Sequence, residues 1–138
     1  MTETTKSPAG LTLDQRRARH AWEAVQRAKQ KQGAHEKQDP KKFGGQVKKL
    51  PTRIMAAGLG QALAFLKAKD YAPGLLAELT EWMRQRIPPK QGEPTDLLER
   101  IIRGDSDFLR RATDEVLAYL LWLNRFAEAE GLTEEEES

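Results

Sequence analysis

At 138 residues with a formal net charge of +2, the chain is long enough for one domain with a real core and too short for two. Hydrophobic residues make up 38% of it and charged residues 32%, a balance that suits an all-helical protein with wide solvated faces. The absence of cysteine excludes disulfides, thiolate metal sites and cysteine nucleophiles, and nothing points to secretion.

The opening MTETTKSPAGLTLDQRR has no apolar signal core, and the longest uninterrupted apolar run, Val116 to Leu123, is far short of a membrane span. A soluble, cytoplasmic protein with no membrane contact is expected. The small net charge hides an asymmetry: residues 1–53 hold 13 Lys or Arg against 5 Asp or Glu, whereas residues 101–138 hold 4 against 10. Such polarity suits a nucleic-acid footprint, head-to-tail contact between copies, or merely solvated helix faces that differ.

Residues 1–11 are polar, with Ser7-Pro8 and Gly10, and read as a flexible tail. The bundle domain is expected over residues 12–131. Thr12 is a plausible N-cap for a first helix, with Asp14 in its first turn. Ala18, Ala21, Trp22, Val25 and Ala28 recur at spacings of three and four, predicting one buried stripe. Arg16, His20, Arg27 and Lys31 fall about 180° away at roughly 100° per residue, predicting a basic outward face. Glu23 and Arg27 make an i,i+4 pair on it, worth only ~0.3 kcal/mol.

Gly33 to Lys42 reads as a flexible charged loop. From about Lys42 a second helix carries Phe43, Val47, Leu50 and Ile54 inward and Lys42, Lys49 and Arg53 outward. Pro51 removes a backbone donor at a cost of ~3 kcal/mol, and a kink or split is expected there. Gly58 and Gly60 mark a turn or a close backbone approach. Leu59, Ala62, Leu63 and Leu66 then predict a short third helix ending near Asp70.

Pro73 suits a first turn, and Leu75, Leu76, Leu79, Trp82, Met83 and Ile87 give the fourth helix its apolar face until Pro88-Pro89. Leu97, Leu98, Ile101 and Ile102 predict a short fifth helix that Gly104 ends. The last helix, capped by Asp105 or Ser106, runs through Phe108, Leu109, Ala112, Val116, Tyr119, Leu120, Leu123 and Phe126 towards Gly131. Leu121 and Trp122 widen its apolar arc, which places it centrally in the bundle or partly under a partner. Residues 132–138 read as a disordered acidic tail. No stretch shows the period of two that strands require, so the fold class is all-α: a single-domain helical bundle of five or six helices.

Little in the chain suggests chemistry. His20 and His35 have no metal-ligand partner at helical spacing and read as surface residues; no metal or cofactor site is indicated. Gly58-Leu59-Gly60 lacks the further glycine and lysine of a phosphate loop. Ser7 and Ser106 sit in a tail and a cap, which disfavours a serine triad. Glu78, Glu81, Asp96, Glu99, Asp114 and Glu115 read as exposed positions without an evident partner. Trp22, Trp82 and Trp122 lie on apolar stripes and read as core. In a helix-turn-helix reading of Leu50 to Lys67 the would-be recognition helix is largely apolar, which argues against it. No catalytic residue emerges, and the chain does not read as an enzyme.

Three blocks carry a resemblance: Leu13-Asp14-Gln15-Arg16-Arg17 with Ala21-Trp22; Val47-Lys48-Lys49-Leu50-Pro51 with Ile54 and Gly58-Leu59-Gly60-Gln61-Ala62-Leu63-Ala64-Phe65-Leu66; and Ala112-Thr113-Asp114-Glu115 through Trp122-Leu123-Asn124-Arg125-Phe126-Ala127. In this order, across roughly residues 12 to 130, they resemble the small subunit of the type III-B CRISPR effector, the Cmr complex. The central block is the specific one. The family commonly has Asn before the Gly-Leu pair, where this chain has Ala57, which puts one polar contact in doubt.

The resemblance implies a non-catalytic helical subunit of an antiviral ribonucleoprotein. Its copies stack in a minor filament beside the backbone subunits, which hold the guide RNA and do the cutting, and target RNA lies in the groove between. Arg16, Arg17, Lys48, Lys49 and Arg125 match the family blocks as RNA-facing candidates. Arg27, Lys31, Lys42 and Arg53 join them from the outward faces derived above. The alternative is a helical adaptor that binds only protein, docking its basic face on an acidic partner or on the acidic helix of the next copy.

Overall fold

The computed structural model describes residues 10–31, 39–70 and 72–133. Most of the expected N-terminal tail, the loop around His35 and residues 134–138 of the acidic tail lie outside the described residues. Within them the chain forms six helices and no strand: α1 Leu13–Lys29, α2 Pro40–Ala57, α3 Leu59–Lys69, α4 Pro73–Arg86, α5 Leu97–Arg103 and α6 Ser106–Ala129.

Local chemistry sets the boundaries. Thr12 and Gln15 form a reciprocal capping box, each side chain accepting from the other's backbone N–H at 3.0 and 2.8 Å. Asp39 caps α2, which starts at Pro40, so Lys41 and Lys42 belong to a helix and not to the preceding loop. Asp96 caps α5, and Asp105, not Ser106, caps α6. Prolines open α2 and α4, where a missing N–H leaves no hydrogen bond unmade.

Of the kink or split expected at Pro51, the split does not occur. Helix α2 runs through Pro51, which forfeits one bond to the Val47 carbonyl, because Val47, Leu50 and Ile54 around it are all buried. The chain turns at Gly58 instead, whose φ of +90° favours glycine; Ile54 accepts its N–H and its carbonyl accepts from Ala62.

The core joins all six helices around Trp82, Tyr119 and a layer of leucines that includes Leu50, Leu63, Leu75, Leu79, Leu97, Leu120 and Leu123. Each such leucine contributes roughly 1.5–3 kcal/mol on burial. Helix α6 is central: α1 and α2 pack along it, and α4 crosses near its middle. Contacts such as His20 with Tyr119 and Lys29 with Glu130 show α1 and α6 running in the same direction. Leu132 is buried beyond the end of α6, and its carbonyl lies where a Cβ on Gly44 would be.

That approach makes Gly44 a packing requirement. Gly44→Ala should lower stability by about 1–3 kcal/mol through overpacking. Gly74→Ala, in α4 with open space around it, should be neutral or stabilising by up to ~1 kcal/mol. Thermal denaturation of both variants tests the contrast; equal behaviour would show that α2 and the Leu132 backbone do not meet.

Candidate nucleic-acid interface

The candidate cations divide into two groups once their partners are known. Arg17 donates through Nε and Nη2 to both carboxylate oxygens of Glu115, at 2.7 and 3.0 Å. Glu115 also accepts from Trp82 Nε1 at 3.0 Å and Arg86 Nε at 3.1 Å. The carboxylate is thus buried, at 4% exposure, and fully partnered by α1 and α4. This corrects its expected place at an exposed position. Burial pushes the Glu115 carboxyl up, but the hydrogen bonds from Arg17 and Trp82 and the charges of Arg17 and Arg86 outweigh it and hold its pKa below the usual value.

Arg27 makes a fork of two bonds to Glu78, at 2.7 and 2.8 Å, rather than pairing with Glu23. Arg125 pairs with Glu128 at 2.9 Å on a well-exposed part of α6. Arg16 is half-buried with its guanidinium 6.0 Å from the centre of the Trp82 ring. Other carboxylates read as unpartnered also have partners. Glu99 binds Arg103, and Glu81 binds Arg84 and Gln85, the Arg84 guanidinium holding the Glu81 carboxyl down to about 2.

The expected outward face of α1 is not a free face. His20 is buried at 7% exposure, with Nδ1 2.7 Å from the Tyr119 hydroxyl and its ring against Trp82. It is not a surface residue, because α4 covers the side of α1 that α6 leaves open. The reverse holds for Trp22. It stands 42% exposed, edge-on to Phe126. Trp82 is the fully buried tryptophan, and Trp122 is half-buried with its Nε1 donating to Asp14 at 3.0 Å.

The second group lies on α2 and α3. Lys48 and Lys49 are exposed and Lys42 is half-exposed. Arg53 is held by Gln46 Oε1 at 2.6 Å, and its guanidinium lies over the Phe65 ring, 4.6 Å from the centre. Lys69 approaches the same ring at 5.8 Å. The surface therefore runs from Lys49 through Arg53 and Phe65 to Lys69, joining two helices. Lys31, exposed at the end of α1, lies near the opposite end of α2, where it and Phe43 line one cavity of about 120 Å³.

Over residues 40–69 these two helices carry Lys41, Lys42, Lys48, Lys49, Arg53, Lys67 and Lys69 and not one Asp or Glu. Phe65, Lys67 and Lys69 are additions to the residues expected from the sequence. The i,i+4 spacing of Phe65 and Lys69 is a local signal for part of this surface, but Arg53 meets Phe65 only when α3 folds back on α2.

Residues 13–130 match the family model described as CRISPR-associated protein (Cas_Cmr5). The chain belongs to the Cas_Cmr5 family. It is accordingly a Cmr5-type small subunit of the type III-B CRISPR effector, a structural component that associates with other Cmr subunits. Among the described residues no helix is long and apolar enough to cross a membrane. The matched span takes in every helix of the bundle.

The buried polar cluster makes two predictions. Glu115→Gln removes the charge partner of Arg86 and one of the two carboxylates of Arg17, which keeps Asp14; with both arginines partly exposed, it should cost about 1–3 kcal/mol in denaturant unfolding. His20 has its pKa lowered by burial, against Glu78, Glu81 and Glu23 acting the other way and Arg27 with it. Its neutral form is therefore the folded one. Stability should be full above the ordinary value of 6.5 and decline as pH falls below it, where the unfolded chain takes up a proton more readily. In His20→Gln this loss of stability from pH 7.5 to pH 5.5 should be smaller, by at most about 1.4 kcal/mol per pKa unit of the shift removed, read as a smaller drop in melting temperature.

Proposed function

We propose that this subunit stacks with copies of itself in a minor filament of an antiviral, RNA-guided ribonucleoprotein in the cytoplasm. It supplies no catalytic group, and it holds guide or target RNA by its phosphates. The observation that carries the reading is the α2–α3 surface, seven cations on two adjacent helices that contain no carboxylate. Lysines and an arginine on helices without carboxylates of their own favour a polyanion by releasing its counterions, without reading its sequence; Lys67 is the exception, lining a cavity with Asp70, Glu81 and Asp96. Phe65, 38% exposed between Arg53 and Lys69, adds a ring edge against which an unpaired base can rest.

Arg16, Lys31, Lys42, Lys48, Lys49 and Arg53 remain the contact residues of this reading. Arg17 and Arg27 serve it indirectly, since their charges are engaged by Glu115 and Glu78. Arg125 reaches RNA only by leaving Glu128, a surface pair worth under about 1 kcal/mol. Contacts of this kind are individually weak, and stacked copies strengthen them by multivalency.

Purification of the tagged chain from its host should recover the other Cmr subunits together with guide RNA. In the assembled complex, Lys48→Glu with Lys49→Glu should weaken target-RNA capture and flatten the slope of log affinity against log salt by ~0.7 for each phosphate no longer neutralised. RNA capture that is unchanged across salt would sink the phosphate-holding role. Cross-links from labelled RNA that reach only the backbone subunits would favour the protein-only adaptor.

A further inference from the structure

A second cationic feature lies away from α2 and α3, at the end of the bundle where the α4–α5 connection meets the start of α6. An open cavity of about 440 Å³ is lined there by Lys90, Arg100, Arg103 and Arg111 together with Ile87, Pro88, Pro94 and Phe108. Arg100 is 7% exposed. Unlike Arg17, it is hydrogen-bonded to no carboxylate, and Glu93 acts on it through charge alone. Its Nη2 donates to the Ile87 carbonyl at 2.6 Å, its Nη1 makes a long contact of 3.5 Å to the Met83 carbonyl, and its flat face covers the Phe108 ring at 4.7 Å.

A guanidinium has five N–H donors, and two carbonyls occupy only two of them. Burial lowers the pKa of Arg100, and the charge of the nearby Glu93 carboxylate offsets that only in part. The two carbonyls and the Phe108 ring hold the group, and Arg100 is among the residues lining the cavity.

The charges around it are unevenly committed. Three carboxylates share the lining, and each has a local partner: Glu93 accepts from the Lys90 backbone N–H, Asp105 from the Phe108 N–H, and Asp107 from Arg110. The side chains of Lys90 and Arg111 form no ion pair among the described residues. Arg103 is two-thirds exposed and tied only to Glu99.

We infer that this cavity is a binding site for the phosphate group of a nucleotide or of an RNA strand. Arg100 forms its floor, and Arg103, Arg111 and Lys90 close around the anion. Three planar forks and an ammonium suit a group with several peripheral oxygens and up to two charges better than a single carboxylate. Binding here does not depend on the α2–α3 surface holding RNA.

The test uses the full chain and follows the arginine Nε–Hε NMR signals during titration with inorganic phosphate, a mononucleotide, a six-nucleotide single-stranded RNA and a glutamate-rich peptide. Phosphate should shift the Arg100 and Arg111 signals, and the paired variant Lys90→Ala with Arg111→Ala should weaken that response at least tenfold without changing the melting temperature. Arg100→Lys, which retains the charge and loses the fork, should weaken it similarly if it folds; the exposed pair answers the question if it does not. A mononucleotide as effective as the RNA assigns the site to free nucleotides, and tighter binding of the RNA assigns it to a strand. No shift with phosphate, or an equal response to the peptide, overturns the inference.

Discussion

One carboxylate, Glu115, ties the bundle together. It receives four hydrogen bonds from Arg17, Arg86 and Trp82, and so links α1 and α4 to the middle of α6. Hydrophobic packing alone would leave these helices free to slide by a turn, since leucine against leucine fits in several registers. A buried acid that accepts a guanidinium fork from one helix and an indole N–H from another fits in one. Around it Trp82 stacks on Tyr119 with ring centres 5.5 Å apart, and His20 closes the cluster. Arg17 and His20 are thereby used inside the molecule and Arg27 is tied to Glu78, so the basic face predicted for α1 is interrupted, whereas Lys48 and Lys49 of α2 stand exposed.

What could be read from the sequence was local. Thr12, Pro73 and Gly104 mark helix limits because capping and proline geometry depend on residues a few positions apart, and each marked limit is found within the observed boundaries. The all-helical fold and the order of its helices follow from apolar spacing for the same reason. His20, Glu115 and Trp22 depart from their expected places because one periodic stripe describes a helix with one covered side, whereas α1 lies between α6 and α4. The pairs that bury these polar groups join residues 98 or 99 positions apart. No spacing rule reports a bond of that range. For a different reason the helix is not split at Pro51: its local cost is real, but the buried residues on either side of it outweigh one missing hydrogen bond.

The candidate surface shows the same division. Lys42, Lys49 and Arg53 share a face of α2 by simple periodicity, and that face is exposed or half-exposed. Their continuation onto Phe65 and Lys69 depends on the turn at Gly58. Ala57 is exposed beside that turn, and the positive φ at Gly58 supports the reversal without a side-chain cap. The position is therefore open to variation in a way that Gly58 is not.

The most extensive helix pairing in the molecule is between the first helix and the last. A chain emerging from the ribosome must carry the α6-facing side of α1 uncovered until residues 106–129 have been made, since neither Tyr119 nor Glu115 is available before then. Closing a loop of that length delays folding more than it weakens the final structure. Until α6 is made the nascent segment is thus exposed to aggregation or to chaperones, and α1 is completed as a structural element by the helix most distant from it in this sequence.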